Sequence, residues 1–154
     1  MTLIRALNER DFDDWLDVYR FYAEHYDLDL TDDGIAKTWA WLMDVNHPLT
    51  GIVAEDRGCL IGLAHYRAMP SPLRGAYLGF LDDLVVRPQD RGSDAAKLLL
   101  DALKAIGKKQ EWAKIRWITR DDNYRARALY DKIATKTNWA MYEMDIDCYC
   151  QMGR

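Results

Sequence analysis

Leu81-Asp82-Asp83-Leu84-Val85-Val86-Arg87-Pro88-Gln89-Asp90-Arg91-Gly92-Ser93-Asp94-Ala95-Ala96-Lys97-Leu98-Leu99 runs from an apolar strand pattern through a turn of small residues into a helical pattern. The strand ends at Arg87-Pro88, because proline has no N–H to continue a ladder. Beyond the turn, Ala95, Leu98, Leu99, Ala102, Leu103 and Ile106 recur at the spacing of one helix face, and Gly107 offers a left-handed stop. A strand that feeds a helix through such a turn aims unpaired backbone N–H groups and the positive end of the helix dipole at one point. That geometry holds a pyrophosphate without a side-chain clamp.

Upstream, Gly51 to Glu55 and Cys59 to Arg67, joined by Asp56-Arg57-Gly58, read as a hairpin, and Ala76 to Val86 adds a third strand after a Pro70-Ser71-Pro72 loop. Leu3 to Leu7 reads as a short first strand. Phe12, Trp15, Tyr19, Tyr22 and Tyr26 then form an aromatic stripe at helical spacing, with Asn8 or Asp11 available as N-cap. A second helix is expected from about Ile35 to Val45. Downstream, Lys114 to Thr119 reads as a strand, Asn123 to Ile133 as a helix and Trp139 to Asp147 as a final strand. With no repeat and no dividing linker, residues 1–154 read as one α/β domain built on a mixed sheet.

The composition, 154 residues with 49% apolar and 30% charged, suits one globular domain and excludes low-complexity or collagen-like chains. No apolar run approaches the roughly 20 residues that cross a bilayer, and the first residues lack a signal-peptide core, so a cytoplasmic protein without membrane partners is expected. Cys59, Cys148 and Cys150 are an odd set without paired spacing, which suggests neither a disulfide framework nor a zinc site. His25, His47 and His65 are too scattered to suggest a metal. A net charge of −4 argues against nucleic acid as the main partner. Residues 1 to 60 carry −8 and residues 61 to 154 carry +4, a split consistent with a cationic ligand on the first part and an anionic one on the second.

Two blocks carry a family resemblance. Leu81-x-x-Leu84-x-Val86-x-Pro88 with Arg91-Gly92-Ser93, Ala96 and Leu99-Leu100, and then Asn123-Tyr124-Arg125-Ala126-Arg127-Ala128-Leu129-Tyr130, resemble the two signature blocks of the GNAT-superfamily N-acetyltransferases. The resemblance implies a mixed, mostly antiparallel central sheet flanked by helices, acetyl-CoA as co-substrate, and a homodimer. Asp82-Asp83 and the Tyr130-x-Lys132 tail look most like the branch that acetylates polyamines and related small amines. Its cofactor site would comprise Leu84, Val85 and Val86 on the strand, Arg91, Gly92, Ser93, Asp94, Ala95, Ala96 and Lys97 at the turn, and Asn123, Tyr130 and Lys132 downstream. Two positions depart from the pattern. Asp94 replaces the second turn glycine, where it either opposes the pyrophosphate or caps the helix, and Ala134-Thr135 replaces Gly-Phe.

The implied reaction moves acetyl to a small cationic amine, a polyamine or an amino-acid amine, by direct attack in a ternary complex. Acetylation of a protein N-terminus or lysine, and an idle CoA-binding or dimerisation module, are the alternatives. An alkyl ammonium, with a pKa of about 10.4, must lose a proton before it attacks. By the resemblance Asp82 is the first candidate to accept it and Asp83 the second; strand alternation lets only one reach the substrate. Tyr130, by its motif position, would protonate the leaving thiolate. Tyr22, Tyr26, His65 and Asp82 are the candidate residues around the acceptor.

Overall fold

The computed structural model describes residues 1–146, so Cys148, Cys150 and the last residue of the expected final strand lie outside the described residues. The chain forms two compact units, Met1–Ile118 and Thr119–Arg154.

In the first unit β1 (Leu3–Ala6) leads into a short turn of helix at Glu9–Asp11 and then α1 (Phe12–His25). Of the two candidate caps, Asn8 caps the short turn, whereas Asp11 stands at the N-cap of α1 without a capping bond to it and serves as the reciprocal partner of Asn8. The Asn8 side chain accepts from Arg10 N–H at 3.0 Å while Asp11 accepts from Asn8 N–H at 2.9 Å, which satisfies orphan donors reciprocally. α2 (Asp32–Met43) starts three residues before the expected Ile35, because Thr31 accepts from Gly34 N–H and so sets the cap earlier. β2 (Leu49–Asp56), β3 (Cys59–Ser71) and β4 (Ala76–Val86) form the antiparallel meander. The expected Pro70-Ser71-Pro72 loop is a correction: Pro70 pairs with Tyr77 and Ser71 with Ala76, and the chain turns at Pro72–Arg74 and Gly75, where φ is +56°. Cross-strand partners extend the ladder, and the reversal falls on the residue that tolerates a left-handed backbone.

α3 (Ala95–Lys109) also overruns its expected stop. Gly107 is buried inside it, and Glu111, at φ +57°, makes the left-handed turn. Trp112 explains this, because a Cβ on Gly107 would lie 3.1 Å from its ring: the glycine makes room for packing rather than for a turn. β5 (Ile115–Arg116) is two residues of the six expected, and pairs in parallel with Gly79 and Phe80 of β4. The sheet order is β1-β2-β3-β4-β5. This is the mixed, mostly antiparallel sheet flanked by helices that the resemblance implies. Trp15 and Val18 of α1 and Ile35 of α2 pack on Val53, Leu63 and Val85 of one sheet face. Burial of each such side chain contributes about 1.5–3 kcal/mol. α3 covers the other face, where a Cβ on Gly62 would meet Leu99.

The second unit holds α4 (Tyr124–Ile133), capped by Asn123, whose side chain accepts from Ala126 N–H. Among its described residues, the expected final strand from Trp139 does not form. Trp139, Tyr142 and Ile146 are more than four-fifths exposed. Strand-like composition makes a strand only where a ladder partner meets it.

Candidate active site

The site grows from one irregularity in the β3–β4 ladder. His65 pairs with Asp83, but its neighbour Tyr66 pairs with Leu81, so Asp82 is the extra residue of a β-bulge. The bulge cancels the alternation expected of Asp82 and Asp83. Both carboxylates line a single cleft of about 390 Å³, together with Tyr19, Thr38, Trp41, His47, Pro48, Leu49 and Arg67. The expectation that only one acid faces the acceptor side is corrected accordingly.

The two acids have different partners. Asp82 takes Arg67 Nε at 3.0 and 3.2 Å on its two oxygens. Asp83 Oδ2 lies 2.8 Å from His65 Nδ1 and 3.2 Å from the Tyr19 hydroxyl. The proton positions follow from the far side of the imidazole, where Trp15 Nε1 sits 2.9 Å from His65 Nε2. An indole N–H can only donate, so His65 Nε2 accepts, its Nδ1 carries the proton, and that proton is donated to Asp83. Trp15 is 0% and His65 1% exposed, so this chain is dry except at Asp83. Asp83 also draws on the Tyr22 hydroxyl, and its carboxylate lines the cleft. Burial, and then the Asp83 charge, push the Tyr19 hydroxyl well above the ordinary phenol range, and Tyr22 likewise, so both stay protonated.

Of the candidate acceptor contacts, only Asp82 lines the cleft. His65 is buried behind Asp83, and Tyr22 and Tyr26 continue the aromatic row outside the lining, with Tyr22 stacked on Tyr19. Tyr19, Trp41, His47 and Arg67 went unnoticed as site residues. Trp41 and His47 stack with ring centroids 5.2 Å apart, and His47 Nδ1 accepts from Leu49 N–H at 3.1 Å. The His47-Pro48 pair signalled only a turn. Arg67 carried one signal, its place two residues after His65 on the same strand face.

The cofactor candidates on the first unit suit a pantetheine arm and its pyrophosphate. β5 pairs no further than Leu81, which leaves Asp82 to Val86 unpaired on the edge of β4 away from β3, among the described residues. Because Arg87 N–H donates to Ile61 on β3, the backbone groups of Leu84 and Val86 point the opposite way, to that open edge. Val85 does not fit the same role. Its side chain is in the core, 7% exposed, and its backbone faces β3. At the turn, Gly92 adopts φ +95° with open space around a would-be Cβ. The N–H groups of Ala96 and Lys97 have no acceptor among the described residues, so the donors a pyrophosphate needs are available. Asp94 occupies the N-cap position, yet its side chain makes no capping bond, and the capping alternative is thereby corrected. Arg91, Gly92 and Ser93 are exposed, whereas Ala95 is fully buried. Asn123, Tyr130 and Lys132 belong to the second unit. Asn123 spends its side-chain oxygen on its own helix, Tyr130 is half-buried on α4, and Lys132 is exposed.

Comparison with known proteins bears on the family and the fold. The acetyltransferase (GNAT) family profile matches residues 9–134. A D-amino-acid N-acetyltransferase of Saccharomyces cerevisiae is 24% identical over 143 residues, covering 92% of this chain and 89% of that protein. Among solved structures, a ribosomal-protein-alanine N-acetyltransferase of Brucella melitensis biovar Abortus 2308 superposes with a TM-score of 0.79 at 23% identity, over 94% of this chain and 99% of that one. An aminoglycoside N-acetyltransferase in complex with CoA gives 0.81 at 17% identity, over 95% of each chain. The chain belongs to the acetyltransferase (GNAT) family. It is an N-acetyltransferase that uses acetyl-CoA as co-substrate and an amine as acceptor.

Proposed function

We propose that the protein acetylates the primary amine of a small cationic acceptor bound in the cleft beside Asp82 and Asp83, with Asp83 rather than Asp82 taking the ammonium proton. The Trp15–His65–Asp83 chain carries this reading. A neutral imidazole holds Asp83 Oδ2 in place from behind, while the Asp82 oxygens are both engaged by Arg67. Acetyl-CoA supplies an acetyl group on a thioester. Asp83 binds the ammonium, accepts its proton and leaves a lone pair for attack. Tyr130 holds the proton that the departing sulfur takes, a role that rests on its place in the second signature block.

The exposed backbone groups of Leu84 and Val86 would hold the pantetheine arm as an added strand, and the N–H groups of Ala96 and Lys97 the pyrophosphate. The family match runs through both compact units, which supports reading residues 1–154 as one catalytic domain. Among the described residues no helix is long and apolar enough to cross a membrane, which is compatible with a cytoplasmic enzyme. The exposed apolar residues from Trp139 to Ile146 are compatible with a homodimer. A yeast relative named for D-amino acids supports a small acceptor over a protein. Thiol release from acetyl-CoA, measured across polyamines, amino acids and short peptides, tests the reading. Turnover should favour free small amines, and a preference for peptides overturns it.

A further inference from the structure

The cleft that holds the two acids also holds a cation, which a site for polycations should avoid. Arg67 lies on β3 two residues beyond His65, the cross-strand partner of Asp83, so the Arg67 and Asp83 positions are separated by about 6 to 7 Å along the strand. The Arg67 Nε points at both Asp82 oxygens, and its guanidinium carbon lies 4.8 Å from the centroid of the Phe80 ring. These contacts fix the plane of the group. Its two terminal nitrogens make no hydrogen bond among the described residues, and 39% of the side chain remains exposed, on the cleft wall. Arg5 provides the contrast, since its three nitrogens are occupied by Asp11, Glu55 and the Ala6 carbonyl.

We propose that Arg67 is the carboxylate subsite of this cleft, and that the acceptor is an α-amino acid bound as its zwitterion, with ammonium on Asp83 and carboxylate on the free edge of the guanidinium. This rests on the acetyl-transfer reading above and narrows it. A planar guanidinium presents two parallel donors to a carboxylate, which an ammonium side chain cannot do. The two charges of an α-amino acid sit on neighbouring groups, and a hydrogen bond of about 2.8 Å at each end lets the molecule span from Asp83 to Arg67. Asp82 neutralises and orients Arg67. A polyamine would instead meet a like charge one strand step from its anchor, and would find Asp82 already paired. The Trp41–His47 stack is left as a wall for the acceptor side chain.

The test compares amino acids with their own α-amides and with spermidine, on wild type and Arg67→Gln, by thiol release from acetyl-CoA and by calorimetric binding of each acceptor. Wild type should favour acids over amides by roughly ten- to a hundredfold in kcat/KM, the worth of one charge-assisted contact. Arg67→Gln should erase that ratio, mainly through KM and acceptor affinity, and should raise kcat/KM for spermidine, because Asp82 is released. A purely structural role for Arg67 would lower all acceptors together, and that outcome overturns the proposal, as does a wild type that takes amides or spermidine as well as acids. Absence of turnover with every amine would overturn the acetyl-transfer reading itself. A circular dichroism melt of the variant confirms that the comparison is made on folded protein.

Discussion

Asp83 and Asp82 differ in what they touch, and that difference sets their chemistry. Asp83→Asn keeps the shape but cannot accept a proton. Near neutral pH its kcat should fall by roughly a hundred- to ten thousandfold, the range of general base catalysis, with partial recovery above about pH 9, where more of an amine with pKa about 10.4 arrives neutral. Asp82→Asn should act chiefly on KM, since it loosens Arg67 and removes no proton acceptor. A pH profile of both variants decides, and an equal loss at every pH for Asp83→Asn would make it a binding group only. Sequence reasoning ranked the two acids the other way. It could not see the bulge, nor the buried His65 that orients Asp83, because both depend on how β3 and β4 register.

At the scale of elements, the turn into α3 and the seam of β4 with β5 make separate predictions. Asp94 makes no capping bond, so Asp94→Gly should leave the melting temperature nearly unchanged. It removes a negative charge from a helix N-terminus whose free N–H groups would meet a pyrophosphate, and should tighten CoA binding about fivefold by calorimetry, on the scale of about 1 kcal/mol for a terminal charge. Weaker binding in the variant would place the carboxylate away from the phosphates. Gly79 is under the opposite constraint. A Cβ there would overlap the Trp112 ring and press on Ile115 of β5, so the ring would have to shift. Gly79→Ala should cost about 2 to 3 kcal/mol, read as a lower urea midpoint with unchanged slope.

At the scale of the whole molecule, the first unit is tied across its sheet edge by charges. Arg5 of β1 grips Asp11 at 2.7 and 2.8 Å and Glu55 of β2 at 2.7 Å, and Asp11 is 6% exposed. The Arg5 guanidinium holds the Asp11 carboxyl below the usual carboxylate range, against the opposing effect of burial. A depressed value in the folded state means that this contribution is complete above the unfolded value of about 3.9 and disappears as pH falls through the folded one. Asp11→Asn should therefore be less stable than wild type by about 1 to 3 kcal/mol near neutrality, with the gap constant above about pH 5 and closing below about pH 4. Denaturant melts across that range measure the gap, and a gap that persists into acid would assign the loss to the capping box instead.

Local pattern determined much of this protein. The helical periods of α1 and α3, the meander, the strand-turn-helix at Leu81 to Leu99 and the Asn123 block are properties of neighbouring residues, and they were sufficient for the family and its co-substrate. What they could not contain was anything set by partners distant in the chain. Gly107 and Gly79 owe their identity to Trp112, the strand-like Trp139 segment forms no ladder, and Arg67 and His47 join the cleft from elements far from the signature blocks. The direction of each acid was decided by one unpaired residue, Asp82, opposite the His65–Tyr66 step, and a register shift is a property of two strands together, which neither strand encodes alone.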